Sequence, residues 1–206
     1  MEPVRRAWED DYSCRGLLWG GQTRDLPELP SGSRVLELGC GNGKTLSTMI
    51  EKGWDVTAID FSPRAVSISR NRCKSTPLSG FIVADARQLP FKTRSFDAVF
   101  VIHILGHLCE PDRKLVPCEL VSALKQGGIL FFSDFSTDDF RCGSGYETET
   151  ATFRRGTGII THYFSRQEVL DLFSSLTPVF IKHHQWPMRI RGKNLVRSEI
   201  KGVFVK

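Results

Sequence analysis

The sequence of 206 residues has no apolar run long enough to cross a bilayer as a helix. Its longest apolar stretch, AVFVIHILGHL at positions 98–108, is far too short and contains two histidines. The first residues, MEPVRRAWEDDYSCRG, have no apolar segment after their arginines and therefore do not resemble a secretory signal. We therefore predict a cytoplasmic protein that does not associate with a membrane.

Closely spaced cysteines are also missing. The sequence has no CxxC motif, and its six cysteines are scattered at Cys14, Cys40, Cys73, Cys109, Cys118 and Cys142. Structural metal sites and disulfide frameworks normally leave tighter clusters than this. We therefore interpret the cysteines as reduced, mostly structural thiols and predict no metal site.

Internal repeats, low-complexity tracts and a linker between domains are absent from the sequence as well. A chain of 206 residues is long enough for one well-packed domain and short for two. The hydrophobic content of 40% and the charged content of 25% are typical of globular proteins. The net charge of +5 favours anionic partners. We predict one domain over residues 1–206.

From residue 34 onward, short β-like runs alternate with helical patterns. RVLEL, DVTAID, GFIVAD, FDAVFVI and GILFFSD are predicted strands, and FDAVFVI is apolar almost throughout, as a strand buried on both faces should be. The predicted helices are KTLSTMIEKG, SPRAVSISRNRC, with Ser62 as N-cap and Pro63 at its first position, and PDRKLVPCELVSALKQ. This alternation predicts a doubly wound α/β domain with a mostly parallel sheet and helices on both faces.

The alternation stops after Asp134. Residues 135–163 are rich in Ser, Thr, Gly and Asp, and a loop of that length in a compact domain is usually functional. We therefore predict an insertion, or lid, on the substrate side. In the C-terminal part, residues 164–206, Ser165 and Glu168 form a capping box before the helix SRQEVLDLF. PVFIKHHQW and VRSEIKGVFV then predict an antiparallel hairpin.

The strongest motif is VLELGCGNGKT, which lies between the first strand and the first helix of this pattern. Glycines at positions 39, 41 and 43 allow a tight turn and a close approach of the backbone to a ligand, which the next helix meets with free N–H groups. A P-loop would need a glycine in place of Leu38, and a dinucleotide fingerprint would need one in place of Lys44. Both alternatives therefore fail on spacing.

The remaining pattern, GxGxG preceded by Glu37-Leu38, resembles the first motif of class I S-adenosylmethionine-dependent methyltransferases. Asp60 at the end of the second strand, Asp85-Ala86 after the third, FDAVFVIHILGHL and LKQGGILFF resemble the family's later motifs in order, over residues 34–134. The compact size is similar to that of the small-molecule type, including tellurite-resistance and thiopurine methyltransferases. The resemblance implies a seven-stranded sheet with an antiparallel last strand, the cofactor S-adenosyl-L-methionine and the product S-adenosyl-L-homocysteine.

The resemblance also implies a set of cofactor-binding residues. Asp60 would accept both ribose hydroxyls, Asp85 would receive the adenine amino group, and the glycine turn would hold the methionine end. In the N-terminal segment 1–30, two aromatic residues are predicted to cover the cofactor, although they could equally pack on the domain as part of an amphipathic helix. The full predicted set is Tyr12, Trp19, Glu37, Gly39, Cys40, Gly41, Gly43, Asp60, Phe61, Asp85, Ala86 and Ile102.

Catalytic and acceptor-binding residues are predicted from position alone. His103, at the end of the fourth strand, is a candidate base or hydrogen-bond partner for the acceptor, or a residue that only orients its loop. His162 closes the insertion and is the second catalytic candidate. Basic side chains of the insertion and hairpin suit an anionic group or a nucleic-acid backbone, or form a solvated surface. The predicted substrate-binding residues are Arg154, Arg155, Tyr163, Arg189 and Arg191.

The favoured function is methyl transfer to a small, anionic acceptor. A tRNA or rRNA methyltransferase that docks through the basic hairpin is the first alternative, although no RNA-binding signature accompanies the hairpin and VIHI stands where an NPPY-type tetrapeptide would be. A non-catalytic, cofactor-binding partner subunit is the second alternative. An NAD-dependent reductase is disfavoured by Lys44, and the sequence leaves the oligomeric state open.

Overall fold

A computed structural model describes residues 2–15, 26–73 and 79–206. The predicted cofactor-covering residue Trp19 lies outside these ranges. The helices are α1 Glu2–Arg15, α2 Lys44–Glu51, α3 Pro63–Arg72, α4 Glu110–Ala123 and α5 Arg166–Leu172, with a short 3-10 helix at Leu105–His107. The strands are β1 Arg34–Leu38, β2 Asp55–Asp60, β3 Ser79–Val83, β4 Phe96–Ile102, β5 Leu124–Phe135, β6 Tyr146–Glu149, β7 Thr152–Arg154, β8 Ile160–His162, β9 Thr177–Ile190 and β10 Lys193–Val205.

Seven strands form the main sheet in the order β3-β2-β1-β4-β5-β10-β9. The first five are parallel to one another, while β10 runs antiparallel to both β5 and β9. The predicted doubly wound, mostly parallel sheet with an antiparallel last strand is therefore confirmed. In such sheets the carboxyl ends of the parallel strands meet at one edge, where ligands bind.

The central strand β4 explains why both faces of the sheet are covered. Side chains alternate between the two faces of a strand. Val99 and Val101 therefore enter one buried apolar cluster, and Ala98 and Phe100 enter the other. All four side chains are fully buried, which matches the uninterrupted apolar run in the sequence.

Two helix starts form as the sequence predicts. The Ser62 hydroxyl accepts a hydrogen bond from the backbone N–H of Ala65 at 3.0 Å, with Pro63 at the first helical position of α3. The Ser165 hydroxyl likewise accepts one from the N–H of Glu168 at 3.1 Å. Such N-caps satisfy donors that the first helical turn leaves free.

The predicted end of α4 is wrong by three residues. The sequence pattern extends this helix to Gln126, but it ends at Ala123 and Leu124 already pairs with Phe96 in the sheet. The carbonyls of Ser122 and Ala123 accept hydrogen bonds from the N–H groups of the loop before β4, at 2.9 and 2.8 Å. Because buried Leu124 and these bonds hold the chain at the sheet, the next residues form a bulge instead of a last helical turn.

The segment 135–163 contains regular structure, whereas the sequence pattern showed only a loop. Strands β6, β7 and β8 form a small antiparallel sheet in the order β6-β7-β8. The last residue of this segment leads into Phe164, which forms an isolated bridge with Ser136. Both ends of the segment are therefore held close together.

The C-terminal hairpin is confirmed and is longer than predicted. Most of PMRIRGKNL, predicted as the connection, belongs to the strands, and the turn lies at Arg191-Gly192 with φ values of 48° and 79°. Two successive positive φ values are typical of a two-residue hairpin turn of type I′. Strand β5 pairs with β10 only from Glu199 to Val205, so the distal half of the hairpin extends beyond β5.

Among the helices of residues 2–15, 26–73 and 79–206, we find none that is long and apolar enough to span a membrane.

Replacement of Gly43 by alanine is expected to destabilise the fold at the glycine turn. Gly43 has a φ of +74°, and a Cβ there would lie 3.0 Å from Ser69 Oγ and 3.2 Å from Ser69 Cα. We expect Gly43→Ala to cost about 2 kcal/mol or more in the free energy of unfolding, measured by denaturant titration. Gly32→Ala is the control, because Gly32 has a φ of +79° but no atom within 4 Å of the added Cβ. Equal losses for both variants would contradict a steric role for Ser69.

Candidate functional site

A cavity of about 790 Å³ opens at the carboxyl ends of the parallel strands. This volume falls in the range of roughly 300–1,000 Å³ that small-molecule sites occupy. Of the residues that the sequence predicted for cofactor, catalysis or acceptor, thirteen line it: Tyr12, Glu37, Gly39, Cys40, Gly41, Asp60, Phe61, Asp85, Ala86, Ile102, His103, Arg155 and Tyr163. Residues that lie more than a hundred positions apart in the chain thus meet around one space.

Five predicted site residues do not line the cavity. Gly43 lies behind the glycine turn, against Ser69. Arg154 is exposed. Arg189 is exposed next to Met188 on β9, and only Met188 faces the cavity, while Arg191 is exposed in the hairpin turn. His162 is buried behind the wall.

The structure gives His162 a set of partners away from the cavity. Its Nε2–H donates to the Glu168 carboxylate at 2.9 Å, and its Nδ1 lies 2.8 Å from the Thr152 hydroxyl. Glu168 also lies 3.9 Å from the buried guanidinium of Arg113. With both ring nitrogens engaged, His162 joins β8 to α5 and has no free atom for a proton transfer at the cavity.

The glycine turn is closed by a carboxylate from the neighbouring strand. Asp60 Oδ2 accepts a hydrogen bond from Gly41 N at 3.0 Å, and Oδ1 accepts one from Ser62 N at 2.9 Å. Gly39 has a φ of +70°, and a Cβ there would overlap the side chain of Ile104. The turn therefore has both the left-handed backbone and the close packing that require glycine.

Two buried carboxyl groups face the cavity beside this turn. Burial raises the pKa of Asp60 to about 6, against the hydrogen bonds from Ser62 and Gly41 that lower it. Burial and the nearby charge of Asp60 raise the pKa of Glu37 well above its ordinary value. Glu37 Oε2 is buried without a hydrogen-bond partner. A buried acceptor that lacks a partner is costly, and a cationic or N–H-bearing ligand would satisfy it.

Asp85, at the edge of the cavity, is bound by an arginine. Arg87 donates to the Asp85 carboxylate from Nη2 at 2.7 Å and from its backbone N at 3.0 Å, and Arg87 Nη1 also donates to Asp112 at 3.3 Å. The hydrogen bond from Arg87 lowers the pKa of Asp85, against the effect of burial. Asp85 is therefore held as a carboxylate, with Ala86 next to it on the cavity wall.

Helix α1 covers the glycine turn from above. A Cβ at Gly41 would lie 3.1 Å from Tyr12 Oη, and burial raises the pKa of the Tyr12 phenol above its ordinary value. One turn earlier, the Trp8 ring lies edge-on to the His107 ring at 4.9 Å. His107 Nδ1 donates to the carbonyl of Ile160 in β8 at 2.8 Å. These contacts connect the helix over the turn to the segment 135–163.

His103 lies between two carboxylates at the end of β4. Its Nε2 is 3.1 Å from Glu199 and its Nδ1 is 3.6 Å from Asp134, while the ring stacks on Phe135 at 4.5 Å. Burial alone would lower the pKa of His103, but the charges of Asp134 and Glu199 and the close contact of Nε2 with Glu199 outweigh it and raise this pKa to about 9. Nδ1 has no hydrogen-bond partner within the protein. At neutral pH His103 is therefore a cation with a proton on each nitrogen, and it has no lone pair for a base.

Several cavity residues escaped the sequence analysis. Trp8 precedes the predicted Tyr12 by one helical turn, a spacing that puts both on one helix face and could have revealed it. Arg141, Trp186, Arg197 and Glu199 also line the cavity. They come from the segment 135–163 and from the hairpin, and no local motif marks them, because only the fold brings these segments to β4.

The strand order, the glycine turn after β1, and the acidic residues after β2 and β3 together define the class I methyltransferase type of α/β domain. Residues 36–132 match the family model described as a methyltransferase domain. These residues are therefore a class I S-adenosylmethionine-dependent methyltransferase domain, and S-adenosylmethionine is the cofactor of its family.

Curated relatives are similar over this part of the chain. A demethylmenaquinone methyltransferase of Clavibacter sepedonicus is 35% identical over 120 residues, which are 58% of this chain and 48% of the relative. A 2-methyl-6-phytyl-1,4-hydroquinone methyltransferase of Synechocystis is 35% identical over 124 residues, which are 60% of this chain and 37% of the relative. The chain thus spans about half or less of these relatives, whose names indicate small-molecule acceptors.

Solved structures share the fold over most of the chain. An S-adenosylmethionine-dependent methyltransferase of Methanosarcina mazei has a TM-score of 0.72 at 22% identity and covers 86% of this chain and 94% of its own. The N-methyltransferase NodS of Bradyrhizobium japonicum, solved with S-adenosylhomocysteine, has a TM-score of 0.62 at 20% identity and covers 99% and 88%. The resemblance to tellurite-resistance and thiopurine methyltransferases stays a prediction.

The charge state of His103 can be measured directly. We expect its ring nitrogens to titrate near pH 9 by NMR, and Glu199→Gln to lower this pKa because one carboxylate partner is lost. Since the folded pKa lies above the ordinary 6.5, the ion pairs stabilise the fold fully below pH 6.5 and are lost as pH rises through about 9. The free energy of unfolding should therefore decline over that interval in the wild type and less in His103→Gln. An unshifted His103 would contradict this assignment.

Proposed function

We propose that this protein transfers a methyl group from S-adenosyl-L-methionine to a small, anionic acceptor. The observation that carries the proposal is that a single cavity joins the acidic end near the glycine turn to a cationic end at Arg155 and Arg197. The acidic end suits the donor, and the cationic end suits an anion. A cytoplasmic location and the division of the chain into a cofactor core, a substrate-side insertion and a hairpin remain part of this proposal.

The residues at the acidic end fit the cofactor. Glu37, with its unsatisfied buried oxygen, would accept from the ammonium group of the methionine end, and the Asp60 carboxylate would accept from the ribose hydroxyls. The adenine ring of the cofactor would be surrounded by Asp85, Ala86, Phe61 and Ile102. Tyr12 and the glycine turn would exclude water from the methionine end, with Cys40 buried beneath it.

When bound, S-adenosylmethionine supplies an electrophilic methyl group on a sulfonium. The chain's own contribution is to hold the acceptor in line with that methyl and to keep water away from it. His103, at the end of β4, would donate a charged hydrogen bond from Nδ1 to an oxygen or nitrogen of the acceptor, because Nδ1 lies 3.6 Å from Asp134 and has no hydrogen-bond partner. Arg155 and Tyr163 would form part of the wall of the same cavity. We favour this role over that of a base because both ring nitrogens of His103 face carboxylates.

The alternatives have less support. RNA docking would rest on Arg189 and Arg191, and these side chains are exposed and do not line the cavity. A non-catalytic partner subunit would not need the cationic end of the cavity. The names of the curated relatives, which refer to quinone and hydroquinone methylation, also favour a small acceptor for this chain.

Calorimetric titration with S-adenosylmethionine, S-adenosylhomocysteine, NAD and ATP tests the cofactor. We expect the first two ligands to bind. Asp60→Ala should reduce the binding free energy of both by about 1–3 kcal/mol, because a charge-assisted hydrogen bond is lost. Asp55→Ala is the control, since Asp55 is an exposed carboxylate at the other end of β2. Binding of NAD or ATP instead, or equal affinities of the two variants when both are folded, would overturn this part of the proposal.

Removal of the His103 side chain should affect turnover and leave cofactor affinity nearly unchanged. With an acceptor in hand, His103→Ala is expected to lose most of its kcat, because the charged hydrogen bond to the acceptor is lost. In the wild type, the rate should fall as pH rises through about 9, where His103 loses its proton. A rate that instead rises through this interval would indicate that neutral His103 acts as a base.

A further inference from the structure

Three guanidinium groups converge at the end of the cavity away from the glycine turn. Arg141, Arg155 and Arg197 all line this space. Arg155 Nη2 donates to the backbone carbonyl of Arg141 at 3.2 Å and to the Tyr163 hydroxyl. The guanidinium carbons of Arg141 and Arg197 lie 5.4 and 5.8 Å from the centre of the same Phe140 ring. We call Arg141, Arg155 and Arg197 the arginine cluster.

The arginine cluster carries more positive charge than its neighbours neutralise. In the part of the chain that the structure describes, the ion pair that we find for the arginine cluster joins Arg197 Nε to Asp139 Oδ2 at 2.6 Å. Burial and the charges of Arg197 and Arg155 lower the pKa of the Arg141 guanidinium, as repulsion between like charges requires. An anionic ligand would relieve this repulsion.

Arg197 has a donor with no acceptor. Its side chain is only 6% exposed, and its Nη2 is buried without a hydrogen-bond partner. A buried donor on a charged group is costly to leave unsatisfied. Because Arg197 lines the cavity, a ligand oxygen in that space is the natural partner for Nη2.

Aromatic rings surround the same donor. The Arg197 guanidinium carbon lies 4.2 Å from the centre of the Phe135 ring and 5.8 Å from that of Trp186, which faces it across the hairpin. Phe135, Trp186 and Tyr163 all line the cavity. Flat apolar walls beside a cation suit a planar ring that carries an acidic group.

Phe135 also limits the distance between the acid-binding and the reacting ends of the site. The centre of its ring is 4.5 Å from that of His103 and 4.2 Å from the Arg197 guanidinium carbon. The imidazole and the guanidinium can therefore be no further apart than these two distances together. A single small molecule can reach both, provided that its acidic group lies close to its nucleophile.

We propose that the arginine cluster binds the carboxylate of an aromatic acid whose neighbouring hydroxyl or amino group lies at His103, accepts the methyl group and gives up its proton to the Glu199 carboxylate, which lines the same cavity. The guanidinium fork matches a carboxylate in shape and charge, and the rings of Phe135 and Trp186 enclose the aromatic part. This inference rests on the proposed function, because it names the class of acceptor for the same cavity.

The test is calorimetric titration of the protein saturated with S-adenosylhomocysteine. We expect 2-hydroxybenzoate to bind at least about tenfold more tightly than its uncharged methyl ester, the value of one charged hydrogen bond. The saturated analogue, 2-hydroxycyclohexanecarboxylate, should bind more weakly than the aromatic acid. An ester or a saturated analogue that binds as well as the acid would overturn the inference, as would tighter binding of phenyl phosphate.

Arg141→Met is the variant of choice, because Arg141 is half-buried and Arg197→Met would leave buried Asp139 without its cation. It should weaken 2-hydroxybenzoate about tenfold and leave the methyl ester and S-adenosylhomocysteine unaffected. Arg166→Met, an exposed arginine outside the cavity, is the matched control. If both variants changed the affinity for 2-hydroxybenzoate equally, this inference would be overturned, and the proposed function would not be affected. Failure of S-adenosylhomocysteine to bind the wild type would instead overturn the proposed function.

Discussion

The hydrogen bond between the Asp60 carboxylate and the N–H of Gly41 joins two neighbouring strands at the point where the site is formed. It fixes the turn after β1 to the end of β2, and through Ser62 N it also fixes the start of α3. This turn determines where α2 begins and where the acidic end of the cavity lies. It also forms the surface that α1 covers. A carboxylate held for such a structural purpose is at the same time presented to a ligand.

The part of the fold that local sequence determines was predictable. The apolar strand β4, the caps at Ser62 and Ser165, and the glycine turn each depend on residues within a few positions of one another. The end of α4 was not predictable, because it depends on hydrogen bonds from the loop before β4 and on the burial of Leu124. Propensity favoured a further helical turn, and tertiary contacts decided against it.

The same distinction applies to the site. The residues around the glycine turn lie on the first strands and were found by motif, whereas His162 and Arg189 were selected by position and charge and lie outside the cavity. The arginine cluster was missed because its members are separated by up to 56 positions and meet only when the segment 135–163 folds beside the hairpin. Electrostatics also changed the interpretation of His103, since two carboxylates distant in sequence surround it.

The side chains of strand β10 alternate along its length between the cavity and the apolar core. Arg197, Glu199 and Lys201 face the cavity, while Ile200 and Phe204 lie in the apolar core. An insertion of one residue near the Arg191-Gly192 turn that shifted the strand by one position would exchange these two faces. Changes in hairpin length that keep both faces therefore come in steps of two residues, or a bulge takes up the extra residue, as the register shift between Val203 and Phe204 already does. Substitutions at the cavity-facing positions, by contrast, can alter the shape and charge of the cavity without changing the core side chains between them.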